Sequence, residues 1–168
     1  MYNTSPTGPV FGQDHGVDLH PIAPEEQPRF LPVIARYLME IAPSADQDVI
    51  KKSRRVLNRQ DHRSFWLRNG QADLGFAIVL LLPEGQAELS DFTIFPQFRR
   101  YGFGRAAATQ LLTRFPGQWR MGVSSASPDA AAFWGTCLSS MPNVAKVKTG
   151  APFTACQSKS FNFWVSAN

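Results

Sequence analysis

The chain has 168 residues and a mass of 18.7 kDa, the size of one ordinary domain with at most a tail. Hydrophobic residues make up 43% and charged residues 18%, a globular balance that excludes a disordered chain, and two cysteines, Cys137 and Cys156, are too few for a disulfide scaffold or a zinc site. A formal charge of +4 and a pI of about 9.4 invite an anionic partner: nucleic acid, a membrane surface or a phosphorylated small molecule.

Residues 1–16 are rich in Gly, Pro, Thr and Asn without periodicity and read as a flexible tail ahead of a single domain over 17–168. That stretch has neither a basic n-region nor an apolar core, so no secretory signal is expected and the cytoplasm is the default location. The longest apolar run, Phe76 to Leu82, is too short to span a bilayer. A short strand is predicted near Val17 to Ile22. Phe30, Leu31, Ile34, Leu38 and Ile41 then repeat at helical spacing over 24–41, opened by Pro24 and stopped by Pro43. A second helix is predicted over Ser44 to Asn58. Next come three strands of an antiparallel meander: Ser64 to Arg68, Leu74 to Leu82 and Glu88 to Phe95, joined by turns at Asn69-Gly70 and Pro83-Glu84-Gly85. A helix follows over Phe103 to Phe115, then a strand over Trp119 to Ser124. Another helix is capped by Ser127, with Pro128 at its first position, and ends near Ser139. Two weak strands, near Val144 to Lys148 and Ser160 to Val165, finish the chain. The order predicts a mixed α/β (α+β) sheet with helices on its faces.

The most informative stretch joins the third meander strand to the next helix. After Pro96, a short loop supplies Arg99, Arg100, Gly102 and Gly104, and a helix begins at once. Glycines let the backbone approach a phosphate without a Cβ in the way. The first N–H groups of a helix lack internal partners, and the helix dipole places partial positive charge beside them. Arg99, Arg100 and Arg105 add forked donors for phosphate oxygens. No Gly-Lys-Ser/Thr follows, so this is not a Walker loop. Its place after antiparallel strands makes it a poor dinucleotide fingerprint.

Phe92 to Gly104 resembles motif A of the GCN5-related N-acetyltransferases (GNAT), with Arg99-x-x-Gly102-x-Gly104 matching the family's Q/R-x-x-G-x-G/A loop. The order of elements is also similar across nearly the whole chain after residue 16. The resemblance implies a mostly antiparallel sheet with splayed central strands and helices on both faces. It implies that acetyl-CoA is the cosubstrate, its pyrophosphate on the N–H groups of Arg100, Tyr101, Gly102, Phe103, Gly104 and Arg105, with Arg99 and Ser127 also among the cofactor-binding residues. It further implies that the pantetheine arm pairs with the backbone of Phe92, Thr93 and Ile94, where that strand splays from 119–124.

Acetyl transfer from a thioester to an amine needs a base, because an ammonium group starts near pKa 10. Two acids compete for that role, Glu88 and Asp91. Strand alternation puts them on opposite faces, Glu88 with Ser90 and Phe92, Asp91 with Leu89 and Thr93, and only a bulge would change that. Glu88 lies where the histone-acetylating branch of the resembled family has a catalytic glutamate. The family's leaving-group acid is often a tyrosine on the helix after the fifth strand. Here that stretch reads Ser127-Pro-Asp-Ala130-Ala-Ala-Phe133-Trp134, so an indole stands in the tyrosine's place and cannot donate a proton. Water, Ser124 or Ser125 remain as donors, or the thiolate leaves unaided, since a thiol pKa near 8.5 makes it a fair leaving group.

Tyr37 and Glu40, on the first helix, are placed on the acceptor side, with Asp46 nearby. Cys137 reads as a buried inert thiol. His20 and His62 lack metal-ligand spacing. Residues 92–128 hold five arginines and no acid, and residues 51–63 hold six basic residues against one acid, so the charge sits in two patches on an acidic body. The expected partner is a small-molecule or peptide amine acceptor, with a homodimer left open and no membrane. Two rivals to N-acetyl transfer are a non-catalytic acyl-CoA sensor, suggested by Trp134, and, ranked last, nucleic-acid binding through 51–63.

Overall fold

The computed structural model describes residues 16–41, 51, 54, 55 and 57–167. Strand β1 (Asp18–Pro21) and a single 3-10 turn (Pro24–Glu26) lead into helix α1 (Gln27–Ile41). Strands β2 (His62–Asn69), β3 (Ala72–Leu81) and β4 (Ala87–Ile94) form the meander, and a 3-10 turn (Pro96–Phe98) joins it to helix α2 (Phe103–Arg114). Strand β5 (Gly117–Ser124), helix α3 (Pro128–Ser140) and strands β6 (Val144–Gly150) and β7 (Gln157–Val165) complete the fold. The predicted tail and most of the predicted helix over Ser44 to Asn58, Asp46 included, lie outside the described residues. Of that helix, Leu57 is buried, and the Asn58 N–H donates to the Arg54 carbonyl at 3.0 Å, closing a turn.

The seven strands make one sheet in the order β1-β2-β3-β4-β5-β7-β6. Every neighbouring pair is antiparallel except β4 and β5, which run parallel because α2 crosses over between them. The meander is present, but its first turn is centred one residue later than predicted: Asn69 pairs with Ala72, leaving Gly70 and Gln71 as the turn. Gly70 takes a φ of +57°, the conformation a two-residue hairpin demands.

Burial explains the layers. Along β3 the side chains are buried on both faces, which is why its sequence reads as a continuous apolar run. Phe76 and Ile78 face α1, where they pack with Phe30, Ile34, Leu57 and Trp66. Ala77 and Val79 face the larger cluster beneath α2 and α3, built from Ala107, Ala108, Leu111, Leu112, Trp134, Cys137 and Leu138. Helices therefore cover both faces, and β4 lies in the middle of the sheet. A Cβ added at Gly75 would lie 1.9 Å from the Thr93 carbonyl oxygen, so β3 and β4 approach too closely there for any side chain.

Candidate functional site: a cavity in a forked sheet

The parallel pairing of β4 and β5 covers only Ala87–Trp119, Glu88–Arg120 and Leu89–Met121. Beyond Leu89 the strands part. The cause lies in β4 itself. Val79 pairs with Leu89 but Ile78 pairs with Asp91, so Ser90 is an extra residue with no partner on β3. Such a bulge bends the strand and disrupts its ladder. Beneath the fork, Arg120 Nε donates to Glu88 Oε2 at 2.6 Å and ties the two strands together where they still pair.

The bulge overturns the expected placement of the two acids. Glu88 lies opposite Leu80 and Asp91 opposite Ile78. Those β3 residues are two apart and share a face, so Glu88 and Asp91 share one too. The signal is present in the sequence. The apolar positions of β4 switch from odd to even numbers between Leu89 and Phe92, which is what one inserted residue does to a period of two.

A cavity of about 860 Å³ fills the fork. Its walls are Leu89 to Ile94 of β4 and Met121 to Ser124 of β5. One end is cationic: Arg99, Arg100, Gly102, Gly104 and Arg105. The loop there carries two left-handed residues, Arg100 at φ +69° and Gly102 at φ +82°. A non-glycine residue at positive φ stores strain, which recurs at ligand clamps. The first bond within α2 runs from the Ala106 N–H to the Gly102 carbonyl at 3.2 Å, so the N–H groups of Gly104 and Arg105 precede the ladder. The two glycines differ in purpose. No atom lies within 4 Å of where a Gly102 Cβ would stand, so its need is conformational and the space before it is open. A Gly104 Cβ would press to 3.2 Å against the Phe133 ring, so that glycine lets α2 and α3 meet. The arginines are not equivalent either. Arg99 Nε donates to the Ile94 carbonyl at 2.7 Å, fixing the end of β4, and its Nη2 reaches Glu40 at 3.5 Å across the mouth.

The other end is acidic. Asp91 lines it, its carboxylate accepting from Ser90 Oγ at 2.8 Å. Burial pushes the Asp91 carboxyl up to about 6; the Ser90 hydrogen bond opposes that rise and the Glu88 charge adds to it. Tyr37 and Glu40 reach the same end from α1. Burial carries the Tyr37 hydroxyl well above the usual phenol range, reinforced by Asp91, countered by a hydrogen bond from the Phe92 backbone, and reinforced again by Glu40. Tyr37 therefore keeps its proton and stands beside both Asp91 and the β4 bulge.

Several expected residues sit elsewhere. Among the described residues, Glu88, Tyr101 and Phe103 stand outside the lining: Glu88 is bound to Arg120, Phe103 is core, and Tyr101 is 48% exposed. Phe92, Thr93, Ile94 and Ser127 line it. Ser127 occupies the cap position of α3, but its side chain makes no capping bond. Ser124 Oγ donates to the Ile41 carbonyl at 2.7 Å and Ser125 Oγ to the Cys156 carbonyl at 3.0 Å, so both hydroxyl protons are engaged. Cys137 is buried in the core beneath α3, where burial pushes its thiol up. Among the described residues, no three His, Cys, Asp or Glu side chains converge as metal ligands, and no helix is long and apolar enough to cross a membrane.

No family model and no curated protein matches the sequence. Solved structures do. An acetyltransferase from Thermus thermophilus is similar at 23% identity over 89% of this chain and 96% of its own, with a TM-score of 0.60. A GNAT-family acetyltransferase from Staphylococcus aureus is similar at 10% identity over 88% and 98%, with a TM-score of 0.61. A variant of spermidine N-acetyltransferase from Vibrio cholerae is similar at 11% identity over 90% and 95%, with a TM-score of 0.60. The chain has the GNAT fold. At these identities the fold is what the chains share. The likeness in fold spans 88–90% of this chain.

Proposed function

We propose that the protein is an acyl-CoA-dependent N-acetyltransferase that moves an acetyl group directly to a primary amine. The observation that carries this reading is the two-ended cavity in the fork, with arginines and a helix N-terminus at one end and Asp91 at the other. The residues suit the cofactor. The open space before left-handed Gly102 leaves room for phosphate oxygens against backbone N–H groups, and Arg100 and Arg105 supply charge. Bound there, acetyl-CoA would supply an activated acyl group on a thiolate leaving group. The rest of the reading concerns this chain. Beyond Leu89, the β4 edge lacks a β5 partner, so its polar backbone groups are left for the pantetheine arm.

Asp91, rather than Glu88, is the base. It faces the cavity, and its carboxyl, raised to about 6, is ionised yet basic near neutral pH. It takes one proton from the acceptor ammonium and passes it to water; the free amine attacks the thioester carbonyl, and the second proton, lost by that nitrogen as the C–N bond forms and the C–S bond breaks, goes to the departing thiolate. Tyr37, locked in its protonated form, hydrogen-bonds at the bulge instead of titrating. Asp91 gives the acceptor end a negative charge suited to a cationic amine, in keeping with the spermidine enzyme among the similar structures, while Glu40 beside it is paired with Arg99.

The test is cofactor-dependent stabilisation followed by amine-dependent release of CoA thiol, screened over polyamines, small amines and peptides. A ligand that binds only the folded state raises the melting temperature. No shift at saturating acetyl-CoA would remove the reading. A second reading, a non-catalytic acyl-CoA sensor, draws on Trp134 in the tyrosine's place. A thermal shift without thiol release from any amine would favour it.

A further inference from the structure

Part of the cavity's lining is apolar where the fork closes. Leu89 and Met121, the last residues to pair across β4 and β5, both line it. Trp134 of α3 belongs to the same core cluster and lines the cavity too, while only 6% exposed. Its ring meets Phe92 edge-on at 5.0 Å and 70°, and Phe133 edge-on at 5.0 Å and 75°. Phe92 and Phe133 themselves lie at 6.4 Å and 24°. Phe92 and Phe133 therefore brace the Trp134 ring on two sides, and its remaining surface borders the cavity. One helical turn further on, Cys137 and Leu138 are core residues. The phosphate end lies at the start of α2 and the bulge at Ser90. A thioester arm running between them would bring its acyl carbon to the bulge, among Leu89, Met121 and Trp134 of the lining.

We propose that Trp134, held by Phe92 and Phe133, is the end wall of an acyl pocket and limits the donor to a two-carbon acyl group. This rests on the acyl-CoA reading of the cavity. A rigid apolar wall discriminates by fit, and each surplus methylene in such a pocket changes affinity about tenfold or more.

The test is isothermal titration of the full chain with CoA, acetyl-CoA, butyryl-CoA and hexanoyl-CoA, a binding readout that needs no acceptor. The wild-type chain is expected to bind butyryl-CoA at least about tenfold more weakly than acetyl-CoA. In Trp134→Ala the butyryl-to-acetyl affinity ratio should rise about tenfold or more. Trp134→Leu retains apolar bulk should the alanine variant fail to fold, and should shift the same ratio by about threefold. A purely structural role would lower affinity for all four ligands together and leave the ratios flat, which overturns the proposal. Equal wild-type affinity for acetyl-CoA and hexanoyl-CoA overturns it as well. If CoA binds and the ratios are flat, this proposal alone fails. If neither CoA nor any ester binds, the acyl-CoA reading fails and takes the proposal with it.

Discussion

The two ends of the cavity are built in opposite ways. The cationic end comes from one contiguous stretch, Ile94 to Arg105, in which a strand stops, a loop turns through two left-handed residues and a helix begins. The acidic end gathers Tyr37 and Glu40 from α1 and Asp91 from β4, and Ser124 on β5 ties the end of α1 to the fork. The first needs only local backbone geometry. The second needs the sheet to fork and α1 to cross its mouth. Damage to the first should therefore weaken binding, whereas damage to the second should spare binding and change rate, pH dependence and stability.

The largest expected effect lies at the cationic end. Gly102→Val forces a β-branched residue to a φ of +82° and fills the open space before the helix, so acetyl-CoA should bind roughly a hundredfold more weakly, about 2.7 kcal/mol. An undiminished thermal shift in that variant would mean the phosphates lie elsewhere.

Asp91→Asn is the matching change at the acidic end. With cofactor binding kept, the amine-dependent rate should fall by about 10² to 10⁴. The same substitution should stabilise the protein at neutral pH. A carboxyl raised from 3.8 to about 6 binds more protons folded than unfolded, so its contribution falls as pH rises between those values. The full cost above about 6 is roughly 3 kcal/mol, an order-of-magnitude figure. Denaturation at pH 8 should show that gain for Asp91→Asn, and at pH 3.5 it should disappear. A variant less stable than wild type at pH 8 would contradict the burial of an ionised Asp91.

The pH profile refines the same point. Wild-type kcat/KM should climb about tenfold per pH unit below about 6 and level off above it. Glu88→Gln should move that midpoint down, because it removes a like charge facing Asp91 while Ser90, Tyr37 and Glu40 stay in place. The plateau rate should change only a few-fold, since Glu88 lies outside the cavity. Stability should drop by about 0.2 to 1 kcal/mol as the partly exposed pair with Arg120 is lost. A collapse of the plateau rate would return the base to Glu88.

Legibility in the sequence follows the same divide. The amphipathic spacing of α1 and α2, the meander and its turns, and the arginine–glycine loop are local patterns, and each appears within a few residues of its expected place. Strict alternation misplaces the acids of β4 because it runs straight through a bulge. The parity change between Leu89 and Phe92 marks it, but one unpaired residue costs so little sequence signal that only the β3 register makes it plain. In the sequence, Ser124 and Ser125 read as candidate proton donors to the thiolate. Their partners, the carbonyls of Ile41 and Cys156, are 83 and 31 residues away.

The sequence by itself determined the order of elements, the mixed sheet and the arginine–glycine loop that opens α2, because helix periodicity and turn chemistry act over a few residues. Only the tertiary structure decided which acid faces the cavity, that Glu88 clamps the fork instead, and that Trp134 is walled in by Phe92 and Phe133. Burial and the electric field at a side chain are set by atoms far apart in the chain, and those atoms meet only once the sheet has formed and forked.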